Sequence, residues 1–80
     1  MTIINICIED FLKKFNEEYA FLYEHHDNVA GFQEAVEFGD DFIPKHKEFV
    51  SEFCNYRGDF LLSDREVAAF MFALDSMGAI

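Results

Sequence analysis

Ser63-Asp64-Arg65-Glu66-Val67-Ala68-Ala69-Phe70-Met71-Phe72-Ala73-Leu74-Asp75-Ser76-Met77 is the stretch whose reading decides the fold. Ser63 and Glu66 stand three apart ahead of an apolar run, the spacing of a capping box in which each side chain satisfies the other's backbone donor. The spacing predicts a helix from Ser63 to about Met77, with Gly78 just beyond it. Val67, Phe70, Met71 and Leu74 fall on one face and Ala68, Ala69, Phe72 and Ala73 on the other. A helix apolar on all sides is one that other elements surround, so the rest of the chain is expected to wrap it.

Working back toward the N-terminus, the same period recurs. Phe49, Val50, Phe53 and Tyr56 form the stripe of a preceding helix, with Pro44 suited to its first position and Gly58 to its end after Arg57. Between Asn28 and Gly39 a short helix is expected, capped by Asn28, weakened by Gly31, stopped by Gly39, with Phe32, Ala35 and Val36 inward. Ile4, Ile8, Phe11, Leu12, Phe15, Tyr19 and Leu22 mark a first helix over about 5–26, capped by Asn5 or Thr2. Strand alternation is confined to Thr2–Ile8, for which a short N-terminal strand is the alternative. The fold class is therefore all-α, a compact bundle of about four helices over 1–80, with Phe11, Phe15, Tyr19, Phe49, Phe53, Val67, Phe70, Met71 and Leu74 in its core.

Length and composition bound this further. Eighty residues bury only about 60–65% of their extended surface, enough for one core. A hydrophobic share of 51% excludes the polar, highly charged class of disordered chains. The uncharged run Val67–Leu74 is far short of the roughly 20 residues of a membrane helix. The N-terminus places Lys13 and Lys14 after its apolar stretch, unlike a secretory signal, so a cytoplasmic protein is expected. Cys7 and Cys54 are then expected to be reduced, buried small hydrophobes.

Charge is the uneven feature. Of the net −10, −8 falls between Phe15 and Pro44, a segment with no lysine or arginine. Such a field attracts basic surfaces and repels nucleic acid and anionic membrane. Ordinary solvated faces mix both signs and gain a few tenths of a kcal/mol per helical Glu–Lys pair, so the exclusion of cations favours a binding role. Glu24, Asp27, Glu34, Glu37, Asp40 and Asp41 are the expected partner-binding carboxylates, supplemented by Phe38 and Phe42 as apolar anchors. Carboxylates one helical turn apart are separated by about 6 Å along the axis, against about 3.4 Å between phosphates of a DNA strand. Such a face would match alternate phosphates only, which is why anchors are needed.

No chemistry-bearing motif competes with this reading. Cys7, His25, His26, His46 and Cys54 lack zinc spacing, no segment has calcium-loop order, and no Glu precedes a His by three as a di-iron bundle requires. His25 and His26 suit a helix C-terminus through the dipole, and no serine lies in a GxSxG turn. The expectation is a protein that is not an enzyme and holds no metal or cofactor. It would instead be a small acidic inhibitor or regulator docking on the basic surface of a nucleic-acid-handling protein, without contacting nucleic acid or membrane itself. Phage and mobile-element inhibitors, including DNA mimics and anti-CRISPR proteins, share this size and charge, a likeness of composition alone. The competing expectation is a structural or regulatory helical subunit whose last helix is buried in a homodimer or larger complex.

Overall fold

The computed structural model describes residues 5–60 and 62–79. Four α-helices follow one another: α1 (Ile8–His25), α2 (Phe32–Lys45), α3 (Lys47–Arg57) and α4 (Asp64–Ser76), with one 3-10 turn (His26–Asn28) between the first two. No strand occurs among the described residues. Of the Thr2–Ile8 segment, residues 2–4 lie outside the described ones, residues 5–7 are coil and Ile8 opens α1, so the strand alternative finds no support in its described part.

The last helix is the axis of the bundle. Both halves of its capping box form: the Ser63 hydroxyl accepts from the Glu66 backbone N–H at 3.3 Å, and Glu66 Oε1 accepts from the Ser63 N–H at 3.0 Å. At the other end the Ala79 N–H donates to the Leu74 carbonyl and the Gly78 N–H to that of Asp75, with Gly78 at φ 73°. That bond pair is a Schellman motif, and glycine supplies its left-handed residue without strain. Val67 through Met71, Ala73 and Leu74 are buried, as α1 and α2 both pack along the helix. The apolar circumference of α4 is thus covered within one chain.

Phenylalanine rings tie α1, α3 and α4 together. Phe70 meets Phe11, Phe53 and Phe49 edge-on at 5.0, 5.2 and 5.9 Å between centroids, and Phe15 meets Phe53 at 4.8 Å. Edge-to-face pairs of this kind add to area burial. Of the expected core, Tyr19 and Phe49 are half-buried and the other seven are buried. Leu22, Val36, Phe42, Val50 and Cys54, with Ala68, Ala69 and Ala73 of α4, complete it.

Helix ends differ from expectation on the N-terminal side. Cys7, not Asn5, caps α1, without a side-chain bond, and its thiol is exposed, whereas Cys54 is buried as expected. α2 starts after Gly31 (φ 84°), not at an Asn28 cap, and continues through both Gly39 and Pro44. Gly39 is helical and buried against α4, so it stops nothing. Pro44 lies in the last turn of α2, where its missing N–H costs only the bond to the Asp40 carbonyl, and α3 begins beyond it at Lys47. Gly58 ends α3 as expected, at φ 80°. With α2 continuous, Phe32, Ala35, Val36, Gly39, Phe42 and Ile43 share one inward face.

Candidate functional site

The inward face of α2 dictates its outward one. At 100° per residue, Glu34, Glu37 and Asp41 fall opposite the Val36–Gly39–Phe42 side, with Phe38 on one flank and Asp40 on the other. All five are exposed, Phe38 at 56%. Lys45, one turn past Asp41, contacts it at 2.9 Å, an exposed pair in the last turn where a cation suits the helix dipole. Among the described residues Glu34, Glu37 and Asp40 have no ion-pair partner, so α2 presents four carboxylates against one lysine at its end.

The two expected anchors part company. Phe38 is exposed and its ring lies 6.1 Å from that of Phe42, nearly parallel. Phe42 is 7% exposed, contacts Phe70 and stacks on His46 at 3.9 Å, so it belongs to the core and offers no free surface. Its predicted exposure followed from ending α2 at Gly39, which took Phe42 off the helix face.

Glu24, in the last turn of α1, and Asp27, in the 3-10 turn that follows, form a second, separate acidic set. Each is exposed and faces a histidine of its own turn, Glu24 with His25 at 3.7 Å and Asp27 with His26 at 3.0 Å. His26 also packs on Phe32, and its Nδ1 is buried with no hydrogen-bond partner. Glu24 and Asp27 therefore do not extend the α2 stripe by helical register.

Three further features surround these residues; of them, only the position of Phe21 and Tyr23 off the apolar stripes is legible in the sequence. Arg57 reaches across the α3–α4 connection to donate to Glu66 Oε2, its guanidinium over the rings of Phe15 (5.2 Å) and Phe53 (5.6 Å). Burial works to raise the Glu66 pKa, but the Ser63 N–H, the Arg57 guanidinium and the Ser63 hydroxyl outweigh it and hold the carboxyl below its ordinary value. Exposed aromatics also occur beyond Phe38: Phe21, Tyr23, Tyr56 and Phe60. The Glu9 carboxylate hydrogen-bonds the Tyr56 hydroxyl and raises its pKa. Finally, a groove of about 220 Å³ opens between the end of α1, Val29 and the end of α4.

No group of three or more potential metal ligands occurs among the described residues, and no described helix is long and apolar enough to cross a membrane. Comparisons with protein-family models, curated proteins and solved structures each returned no match.

Proposed function

We propose that the protein is a small acidic inhibitor or regulator that docks the outward face of α2 onto the basic, nucleic-acid-binding surface of a partner protein. There it competes with the phosphates that surface normally holds. The observation that carries the reading is the composition of that face: Glu34, Glu37, Asp40 and Asp41 beside an exposed Phe38, with Lys45 alone opposing them. Along the axis Glu34, Glu37 and Asp41 are spaced by about 4.5 and 6 Å, too far apart to imitate phosphates one for one. The carboxylates then steer encounter and set orientation, while Phe38 supplies the apolar anchor that slows dissociation. This is the working style expected of a DNA mimic or an anti-CRISPR protein of a phage or mobile element. The homodimer alternative loses its main support, because α4 spends its apolar surface inside the chain.

The test uses the immobilised protein to retain nucleic-acid-binding proteins from lysate, followed by elution with duplex DNA and, separately, with salt. A basic nuclease, polymerase or guide-RNA complex released by DNA, and no longer retained by a Glu34→Lys/Glu37→Lys/Asp41→Lys variant, is the expected result. A Glu17→Lys/Glu48→Lys/Glu52→Lys control, matched in charge, should retain it. Equal losses in the two triples would reduce the effect to net charge and reject the face.

A further inference from the structure

The groove at the ends of α1 and α4 brings aromatic rings and carboxylates together. Its lining includes Phe21, Phe72 and Val29 together with the acidic residues Glu18 and Asp75. At about 220 Å³ it is smaller than the roughly 300–1,000 Å³ of small-molecule sites, a size suited to one long side chain. Elsewhere the chain assembles the same parts with the cation present: Arg57 lies over Phe15 and Phe53 with Glu66 at its guanidinium, and Arg65 lies over Tyr23 at 5.3 Å. In the groove two phenylalanines and two carboxylates stand together, and no lysine or arginine lines it.

The local charges are unbalanced in the direction that a cation would correct. Asp75 occupies the last turn of α4, where the helix dipole disfavours an anion, and that turn carries no basic residue. Among the described residues Asp75 has no ion pair. Among the described residues Glu18 pairs with Lys14 alone, at 3.8 Å from the preceding turn of α1. His25, which does not line the groove, packs on Phe21 at 5.1 Å between rings.

We infer that this groove receives an arginine side chain of the partner protein, its guanidinium against Phe21 and Phe72 and its charge facing Asp75 and Glu18. Arginine is favoured over lysine because a planar, weakly hydrated guanidinium stacks on an aromatic face while keeping its in-plane donors for carboxylates. The inference rests on the docking reading for where the arginine comes from, but the groove's preference for a guanidinium stands apart from the α2 face.

The experiment titrates the isotope-labelled protein with N-acetyl-arginine amide and, in parallel, N-acetyl-lysine amide, following backbone amide resonances. Arginine should move residues 21, 29, 72, 75 and 76 most, with affinity about threefold above that of lysine. Asp75→Asn, nearly isosteric, and Phe21→Ala, at an exposed position, should each weaken arginine binding at least about threefold. The Glu34→Lys/Glu37→Lys/Asp41→Lys variant should leave the groove titration unchanged. Shifts centred on α2, shifts spread evenly over all acidic residues, equal response to both probes, or indifference to Asp75→Asn would each overturn the assignment. If the groove titration holds while the α2 triple reversal leaves partner retention intact, the docking face fails and the groove survives.

Discussion

Gly39 of α2 lies directly against Val67 of α4, so close that a β-carbon on the glycine would overlap Val67 Cγ1 and come within 3.1 Å of Met71 Cγ. The two helices cross at this point because one of them has no side chain there. Gly39→Ala should gain up to about 1 kcal/mol of helix propensity and lose about 1–3 kcal/mol to overpacking. Val67 is β-branched and stiff in a helix, so it cannot swing aside as Met71 can. The expected net is a loss of about 1–2 kcal/mol in denaturant unfolding. In a Gly39→Ala/Val67→Ala double variant the coupling should recover about 1 kcal/mol.

Phe70→Ala removes the ring that Phe11, Phe49 and Phe53 meet edge-on. A loss of about 3–5 kcal/mol is expected, against a total of roughly 4–12 kcal/mol for a domain this size. Thermal unfolding followed by circular dichroism checks it; a loss under about 1 kcal/mol would contradict the packing.

Arg57 and Glu66 provide a pH-dependent test. The folded-state pKa of Glu66 is lowered, so its contribution is complete above the ordinary value of 4.5 and is lost as pH falls through the lowered folded value. Glu66→Gln should cost about 2–3 kcal/mol at pH 7, and its deficit relative to the natural chain should shrink below about pH 4.5. Ser63→Ala, which keeps the ion pair and loses one cap bond, should cost about 0.5–2 kcal/mol. Paired urea titrations at pH 7 and below pH 4 measure both.

The two cysteines should differ sharply toward a thiol reagent. Cys7 is exposed, whereas Cys54 is buried, and its thiol pKa is raised by that burial, which the nearby Arg57 only partly offsets. One thiol should react at once in the native protein and the second only at the rate of unfolding. Prompt reaction of both would show that α3 does not pack as described.

How much was legible in the residues varied with whether the deciding interaction was local. Ser63 with Glu66, and Gly58 after Arg57, are short-range signals whose meaning does not depend on what packs against them, and both ends form as read. Gly39 and Pro44 are ambiguous in one dimension. A glycine that ends a helix and a glycine that lets two helices touch look alike until the neighbour is known, and a proline tolerated in a last turn looks like one opening the next helix. Cutting α2 at Gly39 then misplaced Phe42, since the face shared by Phe32, Val36, Gly39 and Phe42 exists only if the helix continues. The acidic stripe of Glu34, Glu37 and Asp41 was legible as charge, while the groove between Phe21, Phe72 and Asp75 was not. Its walls come from segments some fifty residues apart in sequence.

The position of α4 in the chain has a consequence for synthesis. Three amphipathic helices leave the ribosome before the one they are built around, and until it follows them, Phe11, Phe15 and Phe53 have no Phe70 to close upon. Many of the contacts that make the core, such as Phe11 with Phe70, therefore join distant parts of the sequence, and loop closure precedes their reward. A nascent chain halted before Ser63 would present naked aromatic surface beneath a dense negative charge, a combination in which mutual repulsion between copies holds off aggregation while folding waits.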